Sequence, residues 1–447
     1  METNENQQIE SIVSSDYSVL IEELKTSFVK FKNSTNKQNF VKALIENENI
    51  IKLLVELTEK DMDEIIIYII ENFSINNNEN KAEFTDLVIL LIKKHKFKVI
   101  ESMMINDILN ISEIQDIDGN TPLILATIYS DIQLVKLFLK QFSRLLDKKN
   151  KYELDALTIS VYNNDNLIFF LIANNLKSPI LNINELCKLA IRNGNLEILK
   201  YLTARTSYVE DTTILHHAVA QKNVDIFRHI LNLTTRYNEL DPHGEIPLHW
   251  AVLKGCYMNV EEYIKVLKEN RLEIDHKSKY GITPFHLALL KQDKDVCRLL
   301  YENGADVNEI DNDGNSIVHM LAALGDLKWL KHIVKHFNAN CYQKNSKGDI
   351  PLITAIINGK YDIVEYFVTR IPNLNWKNKM GQTPLHAAIY SNDVKIVELL
   401  LRYKADLTVK DLNGLTPYHY AYVEKKSEII KIIHTVLNLE KKKEESI

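Results

Sequence analysis

The stretch Gly381-Gln-Thr-Pro-Leu-His-Ala-Ala388 returns along this chain at intervals close to 33 residues, and that recurrence restricts the fold more tightly than any other feature. Gly119 to Ala126, Gly244 to Ala251, Gly281 to Ala288, Gly348 to Ala355 and Gly414 to Ala421 keep Gly, Pro and Ala in register. Weaker copies run from Asp211 to Ala218 and from Gly314 to Leu321. Glu153 to Ser160 and Ile183 to Ala190 keep only the apolar pattern. The slot of Ala388 falls at 126, 160, 190, 218, 251, 288, 321, 355, 388 and 421, with spacings of 34, 30, 28, 33, 37, 33, 34, 33 and 33. A module of this length cannot bury its own apolar face, so a chain built this way stacks its modules.

Each residue of the stretch has a mechanical role. Gly381 can take the positive φ of a tight turn. Thr383 is a good helix N-cap, and Pro384 suits the first helical position, where a missing N–H costs nothing. Leu385 opens an apolar face, and Ala388 lets a neighbouring helix come close. A polar turn follows at Ser130, Asn164, Gly194, Lys222, Gly255, Gly325, Gly359 and Asn392. A second helix then carries an apolar stripe, as at Val394, Val397, Leu400 and Leu401. An extended connector leads into the next copy, as at Ala305 to Gly314 and Ala405 to Gly414.

On these residues the chain resembles the ankyrin repeat family from about residue 110 to residue 436. The resemblance implies an all-α ankyrin-repeat solenoid of about ten helix-turn-helix units with short β-hairpin connectors. It also implies that six histidines in one slot, His216, His249, His286, His319, His386 and His419, bridge neighbouring loops by hydrogen bonds. Two places break the rhythm. The 37-residue interval before Ala288 holds about four extra residues, near Cys256 to Asn259 or Lys268 to Arg271, and the short intervals before Ala190 and Ala218 predict clipped connectors.

Residues 1–110 form the first expected region. Helices are predicted over Ile9 to Phe31, Val41 to Leu57, Asp61 to Phe73, Glu83 to Lys93 and Phe97 to Met104, with a polar break at Asn76 to Asn80. Decayed repeats and a separate helical cap both fit this pattern. Residues 111–436 are the expected solenoid, and 437–447 a charged tail expected to be disordered.

Composition removes several classes of function. A net charge of −6 argues against general nucleic-acid binding. The longest purely aliphatic-aromatic run, Ile65 to Ile70, is far too short to span a bilayer. The four cysteines, Cys187, Cys256, Cys297 and Cys341, fall in different repeats and form no Cys-x-x-Cys pair, so reduced core thiols are expected. His332 and His336 share a helical face, but no neighbouring Cys or carboxylate completes a metal set. No phosphate-binding glycine loop, nucleophile elbow or His-Glu-x-x-His motif occurs. No cofactor and no catalytic residue is therefore assigned, and the chain is read as a non-enzyme.

What remains is binding. In the ankyrin fold that the chain resembles, turn tips and the exposed face of the first helix line a concave groove. The residues in those slots here are Ile128, Tyr129, Leu253, Lys254, Lys279, Tyr280, Leu290, Lys291, Ile357, Asn358, Lys379, Met380 and Tyr390. Apolar and aromatic groups at wet positions mark a protein-binding surface. The expectation is a monomeric protein-interaction scaffold. The Asn-, Ile- and Lys-rich composition and irregular repeats resemble ankyrin proteins that intracellular bacteria export into host cells. That resemblance would make the chain an effector acting on a host protein, found in the cytoplasm or secreted into the host cytosol. Two alternatives stay open: a cytosolic adaptor of an AT-rich protist, and an enzyme whose N-terminal helices hold the site while the repeats choose the substrate.

Overall fold

The computed structural model describes residues 50–72, 81–106, 111–205, 213–254 and 257–444. The helix expected over Ile9 to Phe31, the polar break and Cys256 lie outside these residues. Among the described residues there are 24 α-helices and no strand. The chain divides into two compact units, Met1–Tyr208 and Val209–Ile447, and the division falls among the clipped repeats.

The first unit is a run of helix pairs. They are α1 (Ile50–Glu59) with α2 (Asp63–Asn72), α3 (Lys81–Lys93) with α4 (Phe97–Ile105), and α5 (Pro122–Ile128) with α6 (Ile132–Gln141). Then come α7 (Ala156–Tyr162) with α8 (Asn166–Asn175), and α9 (Ile183–Arg192) with α10 (Leu196–Thr203). First helices pack on first helices and second on second, from α1 on α3 through to α8 on α10. Residues 50–106 therefore share the packing order of the explicit repeats, although they carry no box.

The second unit repeats the arrangement. Its pairs are α11 (Ile214–Val219) with α12 (Val224–Leu231), α13 (Pro247–Lys254) with α14 (Tyr257–Glu269), and α15 (Pro284–Leu290) with α16 (Lys294–Glu302). They continue as α17 (Ile317–Leu324) with α18 (Leu327–His336), and α19 (Pro351–Ile357) with α20 (Tyr361–Val368). The last are α21 (Pro384–Tyr390) with α22 (Val394–Arg402), and α23 (Pro417–Val423) with α24 (Ser427–Glu444). Where α15 and α16 meet the next pair, the joint is aromatic: the Phe337 ring lies edge-on to Phe285 at 5.9 Å and to Tyr301 at 5.2 Å.

The core follows from the box. Leu385, Ala388 and Ile389 are fully buried, and Thr383 caps α21 in a box closed by His386. On α22 the buried stripe is broader than the sequence pattern implied. Ile396 and Leu399 join Val397, Leu400 and Leu401, while Val394 is half-buried. The reason is that α22 packs on α21, α20 and α24 together, so two flanks are covered.

Two lengths need comment. The extra residues before Ala288 coincide with a long second helix, since α14 runs for 13 residues where its neighbours α12 and α16 run for 8 and 9. Four residues are close to one helical turn, so an insertion of that size fits without disturbing the phase of the packed face. The last helix, α24, continues to Glu444, through most of the stretch expected to be an irregular tail. Leu, Glu and Lys are all strong helix formers, which sustains it.

The connectors differ from the hairpins expected. A single antiparallel bridge, Ile310 with Ser316, is the pairing found among the described residues. The arms are too short for a ladder, and side chains take over its work. Asp311 Oδ1 accepts from the backbone N–H groups of Asp313 (2.9 Å) and Asn315 (2.7 Å). Asp241, Asn345, Asn378 and Asp411 close their turns the same way.

Successive turns are then joined through the main chain. In the second unit Lys279 N–H donates to His243 O (2.9 Å), Ser346 to Asp313 (2.9 Å), Lys379 to Lys347 (2.9 Å) and Leu412 to Met380 (3.0 Å). This ladder brings turns so close that Gly281, at φ +75°, has no room for a side chain: a Cβ there would sit 2.4 Å from Asn312 N.

The box histidines add a second seam. Thr383 N–H donates to His386 Nδ1 (3.1 Å), which makes Nε2 the protonated nitrogen, and Nε2 donates to Leu415 O in the next repeat (3.1 Å). His216, His249, His286 and His319 reach Glu245, Ile282, Glu309 and Asp349 carbonyls in the same manner. Burial disfavours the charged form of four of these imidazoles, with His249 pushed down to about 4 and His286, His319 and His386 also lowered.

Candidate functional site

Ala388 and Ile389 point into the core, and the next residue of the helix is rotated by about 100° out of it. That residue is exposed in repeat after repeat. In five of the seven repeats of the second unit it is Leu253, Leu290, Ile357, Tyr390 and Val423, exposed by 44, 41, 56, 67 and 69%, while Ala220 and Ala323 stand there half-buried in the other two. In the first unit the slot holds Ile128 and Tyr162, exposed by 38 and 57%.

The slot is held in place by the following repeat. Lys426 Nζ donates to Ile389 O (2.6 Å) and Tyr390 O (2.7 Å) at the end of α21. Lys291 Nζ does the same for Leu253 O at the end of α13. Asn259 Nδ2 closes α11 on Val219 O (2.8 Å) and Gln221 O (2.7 Å), and Asn163 Nδ2 closes α5 on Thr127 O (3.0 Å). The last carbonyls of a short helix lack internal partners, and a side chain from the next module supplies them. Ile128, Tyr162, Leu253 and Tyr390 thus stand on helix ends that are tied down by the next repeat.

The turn tips contribute Tyr280, Met380 and Leu412, exposed by 67, 54 and 74%, at or beside rungs of the turn ladder. Lys254, Lys347 and Lys379 are exposed too and form no ion pair among the described residues. The surface is therefore apolar patches spaced by cations on a rigid frame.

Of the thirteen residues expected here, Ile128 and Tyr129 lie in the first unit and the other eleven in the second. Four of these residues depart from the expectation. Tyr129 is half-buried as the C-cap of α5. Lys291 is engaged with carbonyls as described, and Lys279 Nζ donates to Pro242 O (2.6 Å), stitching two tips together. Asn358 turns back to Thr354 O (2.9 Å) in its own helix. Tyr162 and Val423 belong to the apolar slot and were missed. Both lie two residues past the slot of Ala388; for Tyr162 the box Glu153 to Ser160 lacks the Gly and Pro that would have set the phase, whereas Gly414 to Ala421 carries both and Val423 was readable.

The nucleophilic groups are quiet. Burial pushes the thiols of Cys187 and Cys297 up to about 12 and that of Cys341 up to about 11, so all three stay protonated at neutral pH. Among the described residues no group of three or more His, Cys, Asp or Glu is placed to hold a metal, and no helix is long and apolar enough to cross a membrane.

The family model for ankyrin repeats (three copies) matches at 187–262, 238–311, 256–345, 318–411 and 372–443, which together cover more than half of the chain. The chain belongs to the ankyrin repeat family. Among curated proteins it is similar to the nuclear factor NF-kappa-B p105 subunit of Gallus gallus, 31% identical over 112 residues, which is 24% of this chain and 11% of that one. It is also similar to the NAD-dependent deacetylase sir2B of Dictyostelium discoideum, 23% identical over 268 residues, 53% of this chain and 31% of the other. The chain thus spans less than a third of either relative. Among solved structures, the ankyrin repeat domain of Bcl-3 aligns with a TM-score of 0.39 at 23% identity, covering 44% of this chain and 86% of that domain.

Proposed function

We propose that this ankyrin chain is a non-catalytic scaffold that holds a partner protein on the first-helix ends and turn tips of its second unit. One observation carries the reading: the same helix-end slot presents an exposed apolar side chain at Leu253, Leu290, Ile357, Tyr390 and Val423. Isolated exposed apolar residues are ordinary, but a periodic row on a rigid frame is a preformed contact surface. Tyr390 and Tyr280 are the natural anchors, since a large ring offers much contact area with few rotatable bonds. Lys254, Lys347 and Lys379 favour a partner with an acidic rim.

The Asn-, Ile- and Lys-rich composition supports a host protein as the partner, with the chain delivered as a bacterial effector. The test uses the full chain as bait against host-cell lysate. Leu290→Glu/Ile357→Glu/Tyr390→Glu is expected to lose the captured partner at least about tenfold, with the helical signal unchanged. A triple variant that retains every partner at the original level would remove this face from the function. Export is tested separately by truncation after Leu439, which would abolish delivery if the terminal residues are the signal.

A further inference from the structure

Away from the turn tips, the second helices α16 and α18 leave a cleft of about 360 Å³ between them. Its walls are cationic. Lys328, Lys331 and Lys335 stand on one stripe of α18 with His332 and His336, and Lys294 faces them from α16. Residues 328 to 336 span about 12 Å of helix axis at the usual rise. The indole of Trp329 is buried at the floor, and the Lys294 ammonium lies 5.9 Å from its ring centre.

No carboxylate lines this cleft, and none of the four lysines forms an ion pair among the described residues. Asp326, which precedes α18, is already engaged: it caps α18 through Trp329 N–H (2.9 Å) and accepts from Gln292. The chain as a whole carries a net charge of −6, so this cationic concavity is a local concentration and not a reflection of overall composition. His332 feels it: burial, then the charges of His336, Lys294 and Arg298, depress its protonation.

We infer that the cleft between α16 and α18 binds a small, multiply phosphorylated ligand, with the lysines meeting its phosphoryl oxygens and Trp329 closing the floor. Ammonium groups act as point charges that suit phosphoryl oxygens, and several of them around one cleft favour a ligand with several negative charges. The volume suits a small molecule. This site is independent of the partner-binding face.

The probe is inositol hexakisphosphate, titrated calorimetrically into the full chain at about 0.1 M salt. Saturable binding is expected, weakened at least about tenfold in Lys328→Glu/Lys331→Glu/Lys335→Glu. Lys254→Glu/Lys347→Glu/Lys379→Glu makes the same charge change on the other face and is expected to leave binding nearly unchanged. If the first triple melts early, Lys331→Gln/Lys335→Gln replaces it, with a loss of about threefold or more expected. Sedimentation with phosphatidylcholine vesicles, with and without a phosphoinositide, separates the sources. Selective pelleting with the phosphoinositide assigns a lipid headgroup, and no pelleting assigns a free ligand. No saturable binding, equal loss in both triples, or polyglutamate binding as tightly as the probe would overturn the inference.

Discussion

A methyl group at residue 281 would press on Asn312 N in the next turn, whereas at residue 414, also at positive φ, it would meet nothing within 4 Å. The two glycines separate backbone strain from crowding. Gly414→Ala is expected to cost about 1–2 kcal/mol, the ordinary penalty of a left-handed residue. Gly281→Ala should cost clearly more, because the turn ladder must open as well. Urea melts of the two variants check this, and equal costs would mean that the turns are not tightly joined. The histidine seam makes a pH prediction. Protonated His249 would carry an N–H at Nδ1 facing the Ile246 N–H that now donates to it. Its folded value of about 4 lies below the unfolded value near 6.5, so the unfolded chain binds more protons in between. Its stabilisation is therefore whole above about pH 6.5 and is lost as pH falls toward 4, by roughly 3 kcal/mol for this residue. Thermal melts from pH 7 to 4 should show the fall, and His249→Gln should make it shallower, with the part owed to His286, His319 and His386 remaining. These roles were legible in sequence because Gly, Pro and His recur in phase. Lys279 and Lys291 were not, since sequence gives a position and withholds the carbonyl that the ammonium finds.

At the level of helices, the notable device is the side chain that one repeat lends to the end of the previous one. Asn259 is fully buried on α14, and both of its donor bonds close α11. Asn259→Ala leaves two carbonyls without those partners and is expected to cost about 1–3 kcal/mol. Hydrogen exchange should report the loss first at the end of α11; if that helix stays fully protected, the clamp is not what holds it. Helix order was readable from the box and the apolar stripe. The connectors were not, because the residues that would make a hairpin arm also make a turn closed by Asp, and only geometry shows the ladder stopping at one bridge. Nor was the cationic cleft: Lys328, Lys331 and Lys335 look like any solvated helix face until α16 is set beside them.

For the whole molecule, contact between near neighbours sets the energetics. Leu330 on α18 is fully buried, and Leu330→Ala is expected to cost about 2–5 kcal/mol. In a compact globule that loss would be felt everywhere. Here, faster amide exchange is expected in α15 to α20 and unchanged exchange in α1 to α4. A uniform rise throughout the chain would contradict module-by-module energetics. The turn ladder carries one more consequence. Its rungs are peptide groups, blind to what hangs beside them, so Tyr280, Met380 and Leu412 can be rewritten like type in a fixed frame. A new specificity then asks for new letters at those positions, while the press that holds them keeps its shape.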